Sequence, residues 1–287
     1  MEQRKIAILV DSGCDVPPDF VAKHNIFVAP LKIIYRDREY EDRLDITPQQ
    51  IYDRLDQEVP KTSLPGAERV NSLFDKMVEQ GYEQVLVITI SSGLSGTHNL
   101  LAMLAQQHGK LDVHMVDTKN IGIGAGQHAM MAAEMLEEGK SLEEVLAALE
   151  TSIVQSRIFF YLDTLEYLAK GGRIGKVSAI VGNLLKLRPI ISCNRDGIYE
   201  TVEKVRGNAQ ALAKAVSLVV TEAGKHVRFA VAVAHGSAKD EAARVMSELK
   251  RRLPHCERFI STDVSPALSV HTGPGLIGIA VQALPAN

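Results

Sequence analysis

Cysteine is scarce in this chain: three residues, Cys14, Cys193 and Cys256, are spread over 287. An odd, widely spaced set builds neither a disulfide framework nor a zinc ribbon, and it points to a reducing, cytoplasmic compartment. Long apolar runs are missing as well. No stretch approaches the roughly 18 residues needed to span a bilayer, so no stable membrane insertion is expected, and any dealings with lipid would be those of a soluble carrier. The N-terminal run Ile6 to Val10 stops at Asp11; it has the length of a core strand and not the make-up of a signal peptide. A basic excess is also absent. With 32 Lys and Arg against 35 Asp and Glu, the formal net charge is −3, which argues against a general nucleic-acid binder. Among His98, His108, His114, His128, His226, His235 and His255 there is no metal-ligand spacing. No internal repeat and no low-complexity linker interrupts the chain.

What is present is an ordinary globular composition, 46% hydrophobic and 23% charged, long enough for one large domain or two ordinary ones and able to bury a core without staples. The first half alternates strand and helix signals. Ile6 to Val10, Val85 to Ile88 and Val113 to Val116 are short continuous apolar runs, as in strands buried on both faces. Phe27-Val28 and Leu31 to Tyr35 suggest a further extended segment. Thr47-Pro48-Gln49-Gln50 and Ser141 with Glu144 read as capped helix starts. Helices are expected over Ala67 to Gln80, His98 to Gln107, Ala129 to Glu138 and Ser141 to Ser152. This is the pattern of an open, mostly parallel α/β domain over residues 1–157.

From residue 158 the texture changes. Arg157 to Leu162 reads as a strand, and Ile190 to Cys193 with Ile198 to Val205 as a β-hairpin across Asn194-Arg195-Asp196-Gly197. Short helices are expected over Leu165 to Lys170 and Val177 to Leu187, longer ones over Gly207 to Ala223 and Lys239 to Leu253. Strands at Phe229 to Ala234 and Phe259 to Thr262 complete a smaller α+β domain, 158–287, with a largely antiparallel sheet.

Four segments hold candidate chemistry. The loop Ser91-Ser92-Gly93-Leu94-Ser95-Gly96-Thr97 sits between a strand and a helix, where backbone N–H groups and hydroxyls suit a small anion. It lacks the lysine of a phosphate-binding P-loop, and no G-x-G-x-x-G fingerprint fits. Taken by itself, an ordinary helix cap explains it equally well. Lys61-Thr62-Ser63-Leu64-Pro65-Gly66 reads as a turn bearing a hydroxyl pair. His271-Thr272-Gly273-Pro274-Gly275 reads as a rigid loop with an approachable imidazole. Lys170-Gly171-Gly172-Arg173 can bring a guanidinium to a carboxylate or phosphate. A serine hydrolase using Ser95 and His271 is the alternative from another class, although no G-x-S-x-G elbow surrounds Ser95.

These motifs, together with Asp11-Ser12 to Asp15, Val116-Asp117-Thr118, Tyr167-Leu168, Gly182 to Lys186 and Lys204-Val205-Arg206-Gly207, run in an order that resembles the DegV family of bacterial fatty-acid-binding proteins. The resemblance implies a Rossmann-like domain packed on the smaller domain, with a ligand tunnel at their interface and one long-chain fatty acid such as palmitate in it. It implies that Thr62 and Ser95 hydrogen-bond the carboxylate, with Gly96, Arg173 and His271 close by, and that no metal or other cofactor takes part. It further implies a carrier and not an enzyme, one that presents its ligand to a separate fatty acid kinase for acyl-phosphate formation in bacterial phospholipid synthesis. Gly66 departs from the family pattern, which usually has Ser there.

Overall fold

The computed structural model describes residues 5–175, 177 and 187–286. The chain begins with β1 (Ile6–Asp11), a 3-10 turn (Ser12–Cys14), α1 (Pro18–Lys23) and β2 (Phe27–Ala29). A small antiparallel sheet follows, β3 (Lys32–Ile34) between β4 (Glu39–Glu41) and β5 (Lys61–Ser63), with α2 (Pro48–Tyr52) inserted. Then come α3 (Ala67–Glu79), β6 (Gln84–Thr89), α4 (Thr97–His108) and β7 (Asp112–Asp117). Strands β2, β1, β6 and β7 form, in that order, a four-stranded parallel sheet.

Strand alternation explains why this sheet is covered on both faces. Leu9, Val85 and Val87 pack with Phe74 and Met77 of α3 and Leu101 of α4. Ile8, Val10, Leu86 and Ile88 turn the other way, toward α5 (Ile123–Glu137). Every residue from Ile123 to Ala133 is buried, and a helix buried on all sides belongs between layers. Its second neighbour is a six-stranded sheet, order β10-β9-β8-β13-β11-β12. Those strands are β8 (Arg157–Tyr161), β9 (Leu187–Cys193), β10 (Tyr199–Arg206), β11 (Phe229–His235), β12 (Arg258–Asp263) and β13 (Ile277–Ala283). All pairs are antiparallel except β11 with β12. Helix α6 (Leu142–Gln155) lies with α5 on the inner face, while α8 (Asn208–Ala223) and α9 (Lys239–Arg252) cover the outer one.

The fold class is therefore the one the pattern predicts, with several local differences. The helix expected from Ala129 begins six residues earlier, at Ile123. Gly124 and Gly126 lower its intrinsic propensity, yet they are needed: a methyl group on Gly126 would overlap the Cys14 carbonyl oxygen. Gly126→Ala is therefore expected to lower stability by about 1–3 kcal/mol, the range of an overpacked core, read from the midpoint of urea unfolding; an unchanged midpoint would contradict this packing. Strand β13, which the sequence pattern did not reveal, inserts between β8 and β11. The helix expected over Val177 to Leu187, and the Gly182 to Lys186 motif, lie outside the described residues, apart from buried Val177 and from Leu187, which opens β9.

Lys61 to Ser63 is a strand and not a turn, paired with β3 through Ile33 and Thr62. His271 lies in a helix, α10 (Pro266–Thr272), and not in a loop. Ser265 caps that helix and Pro266 opens it. Helix α10 packs on α2, β3 and β5, with the Tyr52 hydroxyl 2.9 Å from Ser269 Oγ. The last part of the chain is thereby tied to the small sheet of the first part.

Candidate functional site

The parallel sheet offers its ligand crevice beyond the carboxyl ends of β1 and β6, where the strand order reverses. Asp11, at the end of β1, organises this edge. Its carboxylate accepts the N–H of Gly13 and of Ile90, both at 2.9 Å, and so ties the turn after β1 to the segment after β6. Between this edge and the inner face of the six-stranded sheet lies a cavity of about 240 Å³. Its wall is mainly apolar: Ile90, Ile121 and Ile123 from one side, Ile158 and Phe160 of β8 from the other, and Leu268 of α10. From the apolar run Ile121 to Ala133, only Ile121, Gly122 and Ile123 reach the cavity; the rest of that run is buried within the protein.

Four segments far apart in sequence bring polar side chains to this cavity. Thr62 arrives on β5, Ser95 on the loop after β6, His271 on the last turn of α10, and Arg173 on the turn after α7 (Glu166–Lys170). Thr62, Ser95 and His271 are half-buried and Arg173 is exposed, so the polar groups lie on the solvent side of a buried apolar wall. Thr62 Oγ1 is 2.7 Å from His271 Nε2. Arg173 is held by its own turn: its backbone N–H donates to Leu168 O, and its Nη1 donates to Gly171 O at 2.8 Å. Gly96, the remaining sequence-predicted site residue, does not line the cavity; it is exposed and serves as the N-cap residue of α4, facing Leu64.

The imidazole of His271 is held closely. Its Nδ1 is buried without a partner, and a methyl group on Gly171 would overlap it. Gly273 caps α10 at φ 66°, where Tyr167 leaves no room for a side chain. Burial, reinforced by the positive charge of Arg173, pushes the His271 pKa down to about 4. The ring is therefore neutral near pH 7. If Nε2 carries the proton and donates to Thr62 Oγ1, the threonine hydroxyl is left to donate to an anion in the cavity.

The anion-binding loop works differently from the expectation. Most of its N–H groups are engaged within the protein: Leu94 and Ser95 donate to Ser91 O, Gly93 to Ser91 Oγ and Ser92 to Asp117 Oδ1. What the loop offers the cavity is the Ser95 hydroxyl, 2.8 Å from Thr97 Oγ1. Neither Ser95 nor Thr97 is bonded to His271, and no carboxylate meets His271 Nδ1. The nucleophile, base and orienting acid of a serine hydrolase are thus not assembled, and that alternative is not favoured. Asp117 pairs with Lys119 at 2.8 Å, and no group of three or more His, Cys, Asp or Glu suited to a metal occurs among the described residues. No helix among them is long and apolar enough to cross a membrane.

Asp15 and Tyr199 also line the cavity, and the sequence did not single them out as site residues. Asp15 stands within a quoted motif, but its placement depends on the turn after β1. Tyr199 looks like any aromatic residue in a hairpin. Gly66 is the N-cap residue of α3 and makes no side-chain cap; the serine usual in the family would supply one.

A half-open, mainly apolar cavity lined by hydroxyls, an imidazole and a guanidinium, between a parallel and a mixed sheet, has the make-up of a small-molecule site in an α/β protein. Comparison with known proteins gives the family. The chain belongs to the DegV family, whose model, described as "Uncharacterised protein, DegV family", matches residues 5–284. A DegV domain-containing protein of Clostridium perfringens is 40% identical over 279 residues, covering 97% of this chain and 99% of that protein. The structure of a fatty-acid-binding DegV family protein from Thermus thermophilus superposes with a TM-score of 0.91 at 30% identity, over 98% of this chain and 100% of that one. A stearic-acid-binding protein from Eubacterium ventriosum superposes at 0.88 with 27% identity, over 97% and 98%.

Proposed function

We propose that this chain binds one long-chain fatty acid, with the carboxylate at Thr62 and Ser95, His271 and Arg173 beside it, and the acyl chain along the apolar wall. The observation that carries the reading is the Thr62–His271 pair, 2.7 Å apart, on the polar side of an otherwise apolar cavity. The fatty acids bound by the Thermus and Eubacterium proteins support it. The physics is consistent. Each buried CH₂ contributes roughly 0.8 kcal/mol before the costs of association. A carboxylate cannot be buried unpaired, and here two hydroxyls and a guanidinium can pair it. Because His271 is neutral, its part is to orient Thr62, while Arg173 supplies the positive charge.

Thr62→Ala and Ser95→Ala are each expected to weaken binding by about 1–3 kcal/mol, the consequence of a charged acceptor losing a donor. Ser72→Ala, on α3, is expected to leave it unchanged. Titration with a fluorescent fatty acid checks this, and equal affinity of all four proteins would remove Thr62 and Ser95 from the site.

The finer role is presentation. The bound acid is offered to a separate kinase that phosphorylates its carboxyl group, and the chain itself is not the enzyme. Arg173 supports this reading, being exposed at the turn after α7 yet part of the cavity lining, where a transferred phosphoryl group would need a cation. Radiolabelled ATP and Mg²⁺ with the loaded protein should yield acyl-phosphate only when a fatty acid kinase is added, and less with Arg173→Ala. Product formed without any kinase would make this chain the enzyme.

A further inference from the structure

A carboxylate at Thr62 and Ser95 leaves two polar groups of the cavity unused. Tyr199 opens β10 and meets Phe160 edge to face, ring centroids 5.3 Å apart, with both residues lining the cavity. The residue is 7% exposed, and its hydroxyl makes no hydrogen bond among the described residues. Asp15 comes from the opposite layer, just after the turn that follows β1. Its Oδ1 accepts the Ser265 N–H at 2.7 Å and the Arg43 guanidinium at 3.0 Å. Its Oδ2 is buried with no partner.

Buried polar groups are normally paired, and these two do not pair with each other. The apolar wall of the cavity, Ile90, Ile121, Ile158 and Leu268, offers neither of them a polar partner. A plain methylene chain would leave both unsatisfied. A hydroxyl would not, because it accepts from the tyrosine through its oxygen and donates to the carboxylate through its hydrogen. A ketone lacks the donor, and a second carboxylate would be repelled by Asp15.

Resting on the fatty-acid reading above, we propose that Tyr199 and Asp15 form a polar subsite along the acyl chain, and that the ligands of this protein include fatty acids hydroxylated in mid-chain. Tyr199 is then a specificity-determining residue, and its substitution by phenylalanine removes no hydrogen bond from the unliganded protein.

The test is competition binding of stearic acid and a series of stearic acids carrying one hydroxyl at different mid-chain carbons, on the wild-type protein and on Tyr199→Phe. At least one hydroxylated isomer is expected to bind the wild type as tightly as stearic acid or more so. Tyr199→Phe should lower the preference for that isomer over stearic acid about fivefold, the worth of one net hydrogen bond, read as the ratio of the two affinities in each protein. If stearic acid binds but every hydroxylated isomer is weakened equally in both proteins, the subsite is wrong, and a water molecule or nothing occupies it. If stearic acid itself does not bind, the fatty-acid reading falls and the subsite falls with it.

Discussion

Gly171→Ala is expected to remove most of the fatty-acid affinity while leaving the protein folded. Gly171 never needs to touch the ligand. It ends α7 with an ordinary helical backbone at φ −78°, so alanine brings no backbone strain. Its new methyl group, however, would fall on His271 Nδ1. The imidazole has to swing aside, and the Thr62–His271 contact of 2.7 Å is lost. Thr62 then loses the partner that turns its hydroxyl toward the carboxylate, and the displaced ring takes up cavity space. Two effects on one charged acceptor amount to about 3 kcal/mol, or roughly two orders of magnitude in affinity. Titration with a fluorescent fatty acid, beside a thermal melt, separates the outcomes. Weak binding with a melting temperature close to wild type is expected. Wild-type affinity would show that His271 does not position the head group.

A loss of stability in acid is the second large effect, and it centres on His128. This residue is fully buried in α5. Its Nδ1 lies 3.0 Å from Gly124 O, to which it donates, and its Nε2 has no partner. Burial pushes its pKa from 6.5 down to about 4. The unfolded chain therefore binds a proton that the native protein refuses between these values. The contribution is fully present above pH 6.5 and is lost as pH falls toward 4, by about 3 kcal/mol in all. Asp11, Asp15 and Asp42 act with the opposite sign. Burial raises them to about 7, 6 and 6, so their contribution is whole below pH 3.8 and is lost as pH rises through 6 to 7. The wild-type curve mixes these terms, and a difference isolates one of them. Relative to His128→Leu, the wild type is expected to lose about 3 kcal/mol between pH 7 and pH 4 in urea unfolding. Parallel curves for the two proteins would contradict the buried neutral imidazole.

The legibility of this chain follows from how local each feature is. Strands β1 and β6 are buried on both faces, so their apolar runs are unbroken and easily read. The helix starts at Thr47 and Ser141 carry complete capping boxes, a signal contained within four residues. The β9–β10 hairpin is marked by its Asn-Arg-Asp-Gly turn. Other elements exist only through distant partners. Strand β5 is three residues long and flanked by prolines, and it is extended because β3 pairs with it. Helix α10 is short, but its Ser265-Pro266 start was a readable cap that could have placed His271 on a helix. Strand β13 mixes glycine, alanine and glutamine, and becomes a strand between β8 and β11. The site shows the same division. Thr62, Ser95, Arg173 and His271 stood in distinctive motifs, whereas Tyr199 and Asp15 meet the cavity only when the two sheets close on α5.

The central claim is that a fatty acid occupies the cavity between these sheets. Native mass spectrometry of the intact purified protein, followed by analysis of its organic extract, tests this most directly. The account predicts a protein carrying about one equivalent of long-chain fatty acid, retained in the wild type and largely lost in Thr62→Ala combined with Ser95→Ala. A wild-type protein that remains ligand-free after incubation with a range of fatty acids would contradict it.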